Sequence, residues 1–148
     1  MRDFKVVFRD LQKYIENARW FDDSWEIYNR GVYLQLARDN WFNHNQGGIH
    51  FETYIEGPEI RRGVVPVHLH AEDDVPQQAL FIERFLEEER ARLKSWKGYE
   101  VVGSGYSICQ RNIPIKTKQL ADRLFQEIDR LRQLEDTISK LAGELCYR

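Results

Sequence analysis

The sequence is poor in cysteine, with only Cys109 and Cys146 among 148 residues. Two cysteines in a chain of this length do not make a disulfide framework, so an apolar core must hold the fold together. The chain also lacks any run approaching ~18 apolar residues, the length that a membrane-spanning helix needs. Its first residues, Met1 to Phe4, carry charges instead of the apolar run of a signal peptide. These absences predict a cytoplasmic protein without a membrane segment.

No sign of charge dominates the sequence, because 22 Lys and Arg residues stand against 24 Asp and Glu residues, for a net charge of −2. Nucleic-acid-binding domains usually carry a strong basic excess, since contacts to phosphates dominate their affinity. The basic doublet Arg61-Arg62 lies in a predicted turn, where ordinary solvation accounts for it. The charge balance therefore argues against a nucleic-acid partner.

The chain does have enough apolar and aromatic material for one core. Hydrophobic residues make up 42% and aromatic residues 13% of the sequence. A domain of this length buries roughly 70% of the surface that its unfolded chain exposes. No repeat, low-complexity tract or linker divides the chain, so residues 1–148 are predicted to form a single α+β domain.

Apolar residues at three- and four-residue spacing predict the helices. The first runs from Phe4 to Ala18, a second starts after a capping box at Asp74 and reaches about Trp96, and a long final helix runs from Thr117 to Leu145. The polar residues 22–24 favour a short additional helix through Trp25 and Tyr28.

Residues 32–37 alternate between two faces, which favours a strand, although a helix continuing from Trp25 fits nearly as well. The clearest strands are 49–56 and 64–71, which alternate on both sides of a Gly57-Pro58 turn and predict a β-hairpin. Pro66 has no amide hydrogen for a strand ladder, so it predicts an edge strand.

One or two further strands are predicted between residues 99 and 110. The predicted architecture is therefore a two-layer α+β sandwich. Its antiparallel sheet has three to five strands, helices packed on one face and a long C-terminal helix.

The hairpin carries the strongest indication of chemistry. If its apolar residues face the core, period-two geometry puts His50, Glu52, His68 and His70 together on the opposite face. The matching register sets Glu52 opposite His68 and His50 opposite His70, with Cβ atoms ~4.5–5.5 Å apart. Three imidazoles and a carboxylate resemble a site for a divalent transition metal, although the sequence as a whole favours a protein without a cofactor.

Two interpretations of this polar face stay open. The residues could be ordinary surface groups, with Glu52 in a cross-strand ion pair to a histidine. Alternatively, the chain is a metal-dependent hydrolase or lyase in which Glu52 either ligates the ion or accepts a proton from a bound water.

The final helix suggests a different function. Its apolar residues form one broad stripe, which either covers the chain's own sheet or pairs with the same helix of a second copy. The stripe consists of Leu120, Leu124, Ile128, Leu131, Leu134, Ile138, Leu141 and Leu145. The leading hypothesis from the sequence is therefore a homodimeric binding or accessory protein that acts through protein–protein contacts.

Overall fold

An antiparallel sheet of seven strands organises the protein, whose computed structural model describes residues 3–44 and 47–147. The strands are β1 (Trp25–Asn29), β2 (Tyr33–Arg38), β3 (Asn43–His44), β4 (Gly47–Tyr54), β5 (Val64–Ala71), β6 (Glu100–Ser104) and β7 (Ser107–Pro114). Their spatial order is β1-β2-β4-β5-β7-β6, and β3 pairs with β4. The predicted count of three to five strands was therefore too low.

Of the helices, all but the short second one contribute buried apolar side chains to the core. The helices are α1 (Phe4–Glu16), α2 (Gly57–Arg62), α3 (Gln78–Ser95), α4 (Leu120–Leu131) and α5 (Glu135–Leu145), with a 3-10 turn at Arg132–Leu134. The α+β class and the long C-terminal helical segment are confirmed. No helix in the described part of the chain has the length and apolar character needed to cross a bilayer.

Strand periodicity separates the two faces of the sheet. One cross-strand row runs from Leu36 through Phe51 and Leu69 to Cys109, and all four residues are fully buried in the core. The adjacent row runs through Gln35, Glu52, His68 and Gln110 on the opposite face. Since side chains alternate along a strand, one shared register fixes the apolar and the polar face together.

A column of aromatic rings fills the core beside β1. Trp20, Trp25, Trp41 and Phe51 contact one another edge to face, with ring centroids 5.1, 5.5 and 5.2 Å apart. The buried Trp41 indole donates to the Ser139 hydroxyl at 2.8 Å, which joins the column to α5. Edge-to-face contact is the arrangement that the ring quadrupoles favour.

The helix predicted through Trp25 and Tyr28 was wrong, because these residues lie in β1. β1 pairs with β2 from Trp25–Arg38 to Asn29–Leu34. Tryptophan, isoleucine and tyrosine fit a pleated, half-buried surface, and this pairing outweighs the helical spacing. The strand predicted for residues 32–37 is confirmed as β2.

Pro66 lies in β5, which has neighbours on both sides, so the edge-strand prediction was wrong for the strand as a whole. The ladder between β4 and β5 nevertheless ends at the pair Thr53–Val67, so it does not include Pro66, the residue that precedes Val67 in the chain. Only β7 pairs with the strand at Pro66, through Asn112. The missing amide hydrogen therefore costs no bond in the β4–β5 ladder.

The predicted capping box at Asp74 was also wrong, since α3 begins four residues later, at Gln78. The Asp74 carboxylate instead accepts from the backbone amide of Gly48 at 2.9 Å and pairs with His44. Asp74 therefore links the segment after β5 to both β3 and β4.

The C-terminal helical segment covers the chain's own sheet. Every residue of its predicted apolar stripe is buried within the chain. The 3-10 turn ends at Leu134, the last of the three positions Ile128, Leu131 and Leu134, whose spacing of three residues matches its tighter winding. Self-association through this helix, and the accessory function based on it, stay predictions.

Candidate metal centre

The ladder between β4 and β5 has the register that the sequence predicted. Glu52 lies opposite His68, and His50 lies opposite His70. The connection between the strands contains the helix α2 in place of a simple turn, but the pairing is unaffected. The predicted residues therefore share the polar face of the sheet.

Four of the side chains on this face converge. His50, Glu52, His70 and Glu72 each offer one ligand atom, and these atoms all lie within 4.8 Å of one another. We call these four residues the candidate metal centre. Nδ1 of His70 lies 3.0 Å from Oε1 of Glu72 and 3.2 Å from Oε2 of Glu52. Nε2 of His50 lies 3.4 Å from Oε1 of Glu72 and 3.7 Å from Oε1 of Glu52.

Sequence reasoning missed Glu72, although its signal was present. Glu72 continues the alternation of His68 and His70 by one further step of two residues, just beyond the end of β5. The backbone amide of Glu72 donates to the carbonyl oxygen of Gly48 at 3.0 Å, so the extended conformation persists past the strand. Extending the period-two count by one step would have found it.

His68 lies on the same face but outside this group. Its Nε2 is 3.2 Å from the Tyr54 hydroxyl, and its Nδ1 is 3.0 Å from the Ser107 hydroxyl. Burial, together with the nearby His70, lowers the pKa of His68 to about 3. His68 is therefore a neutral imidazole at pH 7, and its hydrogen bonds go to hydroxyl groups.

His50 is fully buried beneath the other three residues, and its orientation is fixed by Asn43. The Asn43 amide nitrogen best faces Nδ1 of His50 at 3.0 Å, because it also meets the carbonyl oxygens of Gly47 and Ile49 at 3.0 and 3.2 Å. That orientation places the imidazole hydrogen on Nε2. The reversed amide would accept from Nδ1–H at the same distance, and this is the orientation in which Nε2 has a lone pair free to ligate a metal ion.

The approach of β3 to β4, which brings Asn43 to His50, requires glycine at position 48. Gly48 has a φ of +81°, which favours glycine. A Cβ atom there would lie 2.3 Å from the carbonyl oxygen of Phe42. A side chain at this position would therefore displace β3 and the Asn43 contact.

Nε2 of His50 has no hydrogen-bond partner among the described residues, although it points between two carboxylates. Buried polar atoms are nearly always paired, so an unpaired one signals a functional or strained position. A divalent cation at this position could be bound by the imidazole nitrogen and by both carboxylate oxygens that it faces.

Both carboxylates of the group are held in place. Oε1 of Glu52 accepts from the Gln35 side-chain amide at 2.8 Å. Burial acts to raise the pKa of Glu72, but the adjacent imidazoles of His50 and His70 outweigh it and lower this pKa to about 2. Glu72 is therefore ionised at neutral pH, as a metal ligand must be.

A cleft of about 370 Å³ opens at the group on the polar face of the sheet. Glu52, His70 and Glu72 form its floor. Its walls carry Tyr33, Gln35, Tyr54, Glu56 and Tyr106. Burial and the charges of Glu59 and Glu52 raise the pKa of Tyr54 to about 12, so its hydroxyl stays protonated at neutral pH.

Two imidazoles and two carboxylates that converge beneath a cleft define a candidate metal centre on the sheet of an α+β protein. No protein-family model, no curated protein and no solved structure matches the chain. The function is therefore inferred from the geometry of these side chains.

Proposed function

We propose that the protein binds one divalent first-row transition metal ion through His50, Glu52, His70 and Glu72, and that it is a metal-dependent hydrolase or lyase. The observation that carries the proposal is Nε2 of His50, which is buried, unpaired among the described residues and directed between Glu52 and Glu72. Removing such a nitrogen from water is costly unless a ligand compensates it.

The distances between the ligand atoms also support the binding of one metal ion. Ligands about 2.1 Å from a metal ion lie roughly 3.0–3.4 Å from their neighbours in octahedral or tetrahedral geometry. The nitrogen–oxygen separations within the group are 3.0, 3.2, 3.4 and 3.7 Å. Small side-chain shifts would therefore suffice to surround an ion, and mixed nitrogen and oxygen ligands suit zinc, manganese, iron or nickel.

The position of the group favours catalysis over a purely structural role. Structural metal sites are closed by protein ligands, whereas catalytic sites keep a coordination position open to substrate. His50 lies beneath the group, and the other three residues form the floor of the cleft. The open side of a bound ion would therefore face the cleft.

A bound ion would lower the pKa of a water molecule in the cleft and polarise the substrate. Glu52 would either help to hold the ion or act as the general base, taking a proton from that water and returning it to the leaving group. Gln35 orients Glu52 for this task through its 2.8 Å hydrogen bond. Asn43 orients His50 in the same manner from the opposite side of the imidazole.

Metal analysis with matched variants tests the proposal. We expect protein purified without chelator to carry about one equivalent of metal, or to bind zinc, manganese or nickel in calorimetry with a rise in Tm. Glu72→Gln keeps the side-chain shape but removes the ligand charge, so it should weaken binding by roughly 100-fold or more. His68→Gln should leave the affinity within about threefold, since His68 lies outside the group.

The outcomes are distinct. Absence of stoichiometric metal and of any Tm gain with the three ions would end the proposal. Loss of binding in His68→Gln with full binding in Glu72→Gln would instead favour the ligand set predicted from the sequence.

A further inference from the structure

The cleft above the candidate metal centre is acidic. Glu52, Glu56 and Glu72 line it, and no Lys or Arg is among the described residues that do so. Asp73 adds a further carboxylate at the rim, where it accepts from the Tyr106 hydroxyl at 3.4 Å. A divalent ion offsets only two of these charges, so the cleft keeps a negative potential that attracts cations and repels anions.

Aromatic rings form much of the remaining wall. Tyr33, Tyr54 and Tyr106 line the cleft, and aromatic faces attract ammonium groups through the ring quadrupole. Beside the cleft, the Arg30 guanidinium lies 5.8 Å from the centroid of the Tyr28 ring and donates to the Tyr28 hydroxyl at 2.8 Å. The rings of Tyr28 and Tyr33 are in edge contact, with centroids 5.7 Å apart.

The unpaired Nε2 of His50 distinguishes this acidic cluster from solvated surface carboxylates. The imidazole is fully buried and directed between Glu52 and Glu72, both of which form the cleft floor. The two carboxylates therefore face a fully buried imidazole, unlike carboxylates on an ordinary protein surface. Three tyrosines line the same cleft.

We propose that the cleft binds a small organic ammonium ion, with its positive head against the tyrosine rings and the neutral remainder directed to the metal centre. The inference deepens the proposed function, on which it rests for the site, by naming the substrate class as an amine-bearing molecule. The volume of about 370 Å³ suits a small ligand of this kind.

Choline and its neutral isostere 3,3-dimethylbutan-1-ol provide a matched pair of probes. They share their shape and hydroxyl group and differ in the charge of the bulky head. The quaternary nitrogen of choline has no lone pair, so it cannot ligate the metal ion. In calorimetry with the zinc-loaded protein, we expect choline to bind about fivefold more tightly than the neutral alcohol, as one cation–π contact in an acidic cleft predicts.

Variants of Tyr106 locate the interaction. This residue is 48% exposed, so its replacement leaves the core intact. We expect Tyr106→Phe to keep the preference for choline over the alcohol, because the ring remains, and Tyr106→Leu to reduce it to about twofold or less. Tyr14→Leu, at an exposed tyrosine outside the cleft, should leave the preference unchanged.

Equal affinity for choline and the neutral alcohol would overturn the ammonium proposal, as would equal effects of Tyr106→Leu and Tyr14→Leu. The same titrations on metal-free protein separate this result from a failure of the proposed function. If zinc binds but choline shows no preference, only the substrate class is wrong. If choline binds preferentially while zinc does not bind, the metal proposal alone fails.

Discussion

Thr53 has a buried hydroxyl without a hydrogen-bond partner among the described residues. The side chain lies on the core face of β4, where its cross-strand neighbours are Leu34 and Val67. A hydroxyl that leaves water without gaining a partner costs about 1–3 kcal/mol. At the residue scale, Thr53 therefore marks a place where the sequence is not optimal for stability.

We expect Thr53→Val to raise the free energy of unfolding by about 1 kcal/mol, because valine has the same shape without the unpaired oxygen. Urea unfolding at pH 7 measures the change. The control is Ser139→Ala, which removes the acceptor of the buried Trp41 indole and should lower stability by about 1–3 kcal/mol. A destabilised Thr53→Val variant would show that this hydroxyl has a partner in solution.

Single residues also show what the sequence could predict about the site. His50, Glu52 and His70 were found because period-two geometry and an apolar face fix one register. Glu72 was missed because it follows the strand, and the count of alternating positions stopped with the apolar run. His68 bonds to the hydroxyls of Tyr54 on β4 and Ser107 on β7. The Ser107 bond depends on the pairing of β7 with β5, which no local sequence pattern specified.

At the scale of elements, a buried carboxylate fixes α4 to the sheet. Glu127 of α4 is fully buried, accepts from the Tyr99 hydroxyl at 2.8 Å, and pairs with Arg111 of β7 and Arg123 of α4. The desolvation of a carboxylate is tolerated only when such partners satisfy it. Removal of Glu127 therefore leaves the partly buried Arg111 and Arg123 without their common partner.

We expect Glu127→Ala to lower the free energy of unfolding by about 3 kcal/mol, because Arg111 and Arg123 lose their common partner. Asp122→Ala, on the exposed side of the same helix, should change it by no more than about 0.5 kcal/mol. Thermal and urea unfolding compare the two. Similar small effects at both positions would show that Glu127 contributes little to fixing α4.

The elements were predicted unevenly for physical reasons. The first and final helices, with their long apolar stripes, and the two hairpin strands carry strong periodic signals. All of these elements are present in the structure. β1 was assigned to a helix because five residues fit either period, and its pairing with β2 decided the outcome. The two-residue strand β3 depends on a tertiary contact with β4 that no periodicity reveals.

At the scale of the whole molecule, His68 makes stability depend on pH. Its pKa is about 3 in the folded chain, below the ordinary value of 6.5 that applies when the chain unfolds. The unfolded chain therefore binds more protons between these values, and stability is lost as the pH falls from about 6.5 towards 3. The slope reaches at most about 1.4 kcal/mol per pH unit for one group.

We expect the free energy of unfolding of metal-free protein, measured in chelator, to decrease between pH 6.5 and 4.5. His68→Gln should flatten this decrease by up to one proton's contribution. Lys94→Gln, at an exposed residue of α3, is the control and should follow the native profile. If both variants have the same pH profile, His68 is not the group that couples acid to unfolding.

The candidate ligands all fall within 23 consecutive positions, from His50 to Glu72, on two strands that pair directly and on the residue that follows the second strand. The only chain between those strands is the tip of the hairpin with α2, which lies at the opposite end of the ladder from the His50–His70 pair. Insertions or deletions at that tip would leave the ladder, and hence the relative positions of the ligands, unchanged. The hairpin can thus vary in length during evolution or engineering while its chemistry is inherited intact.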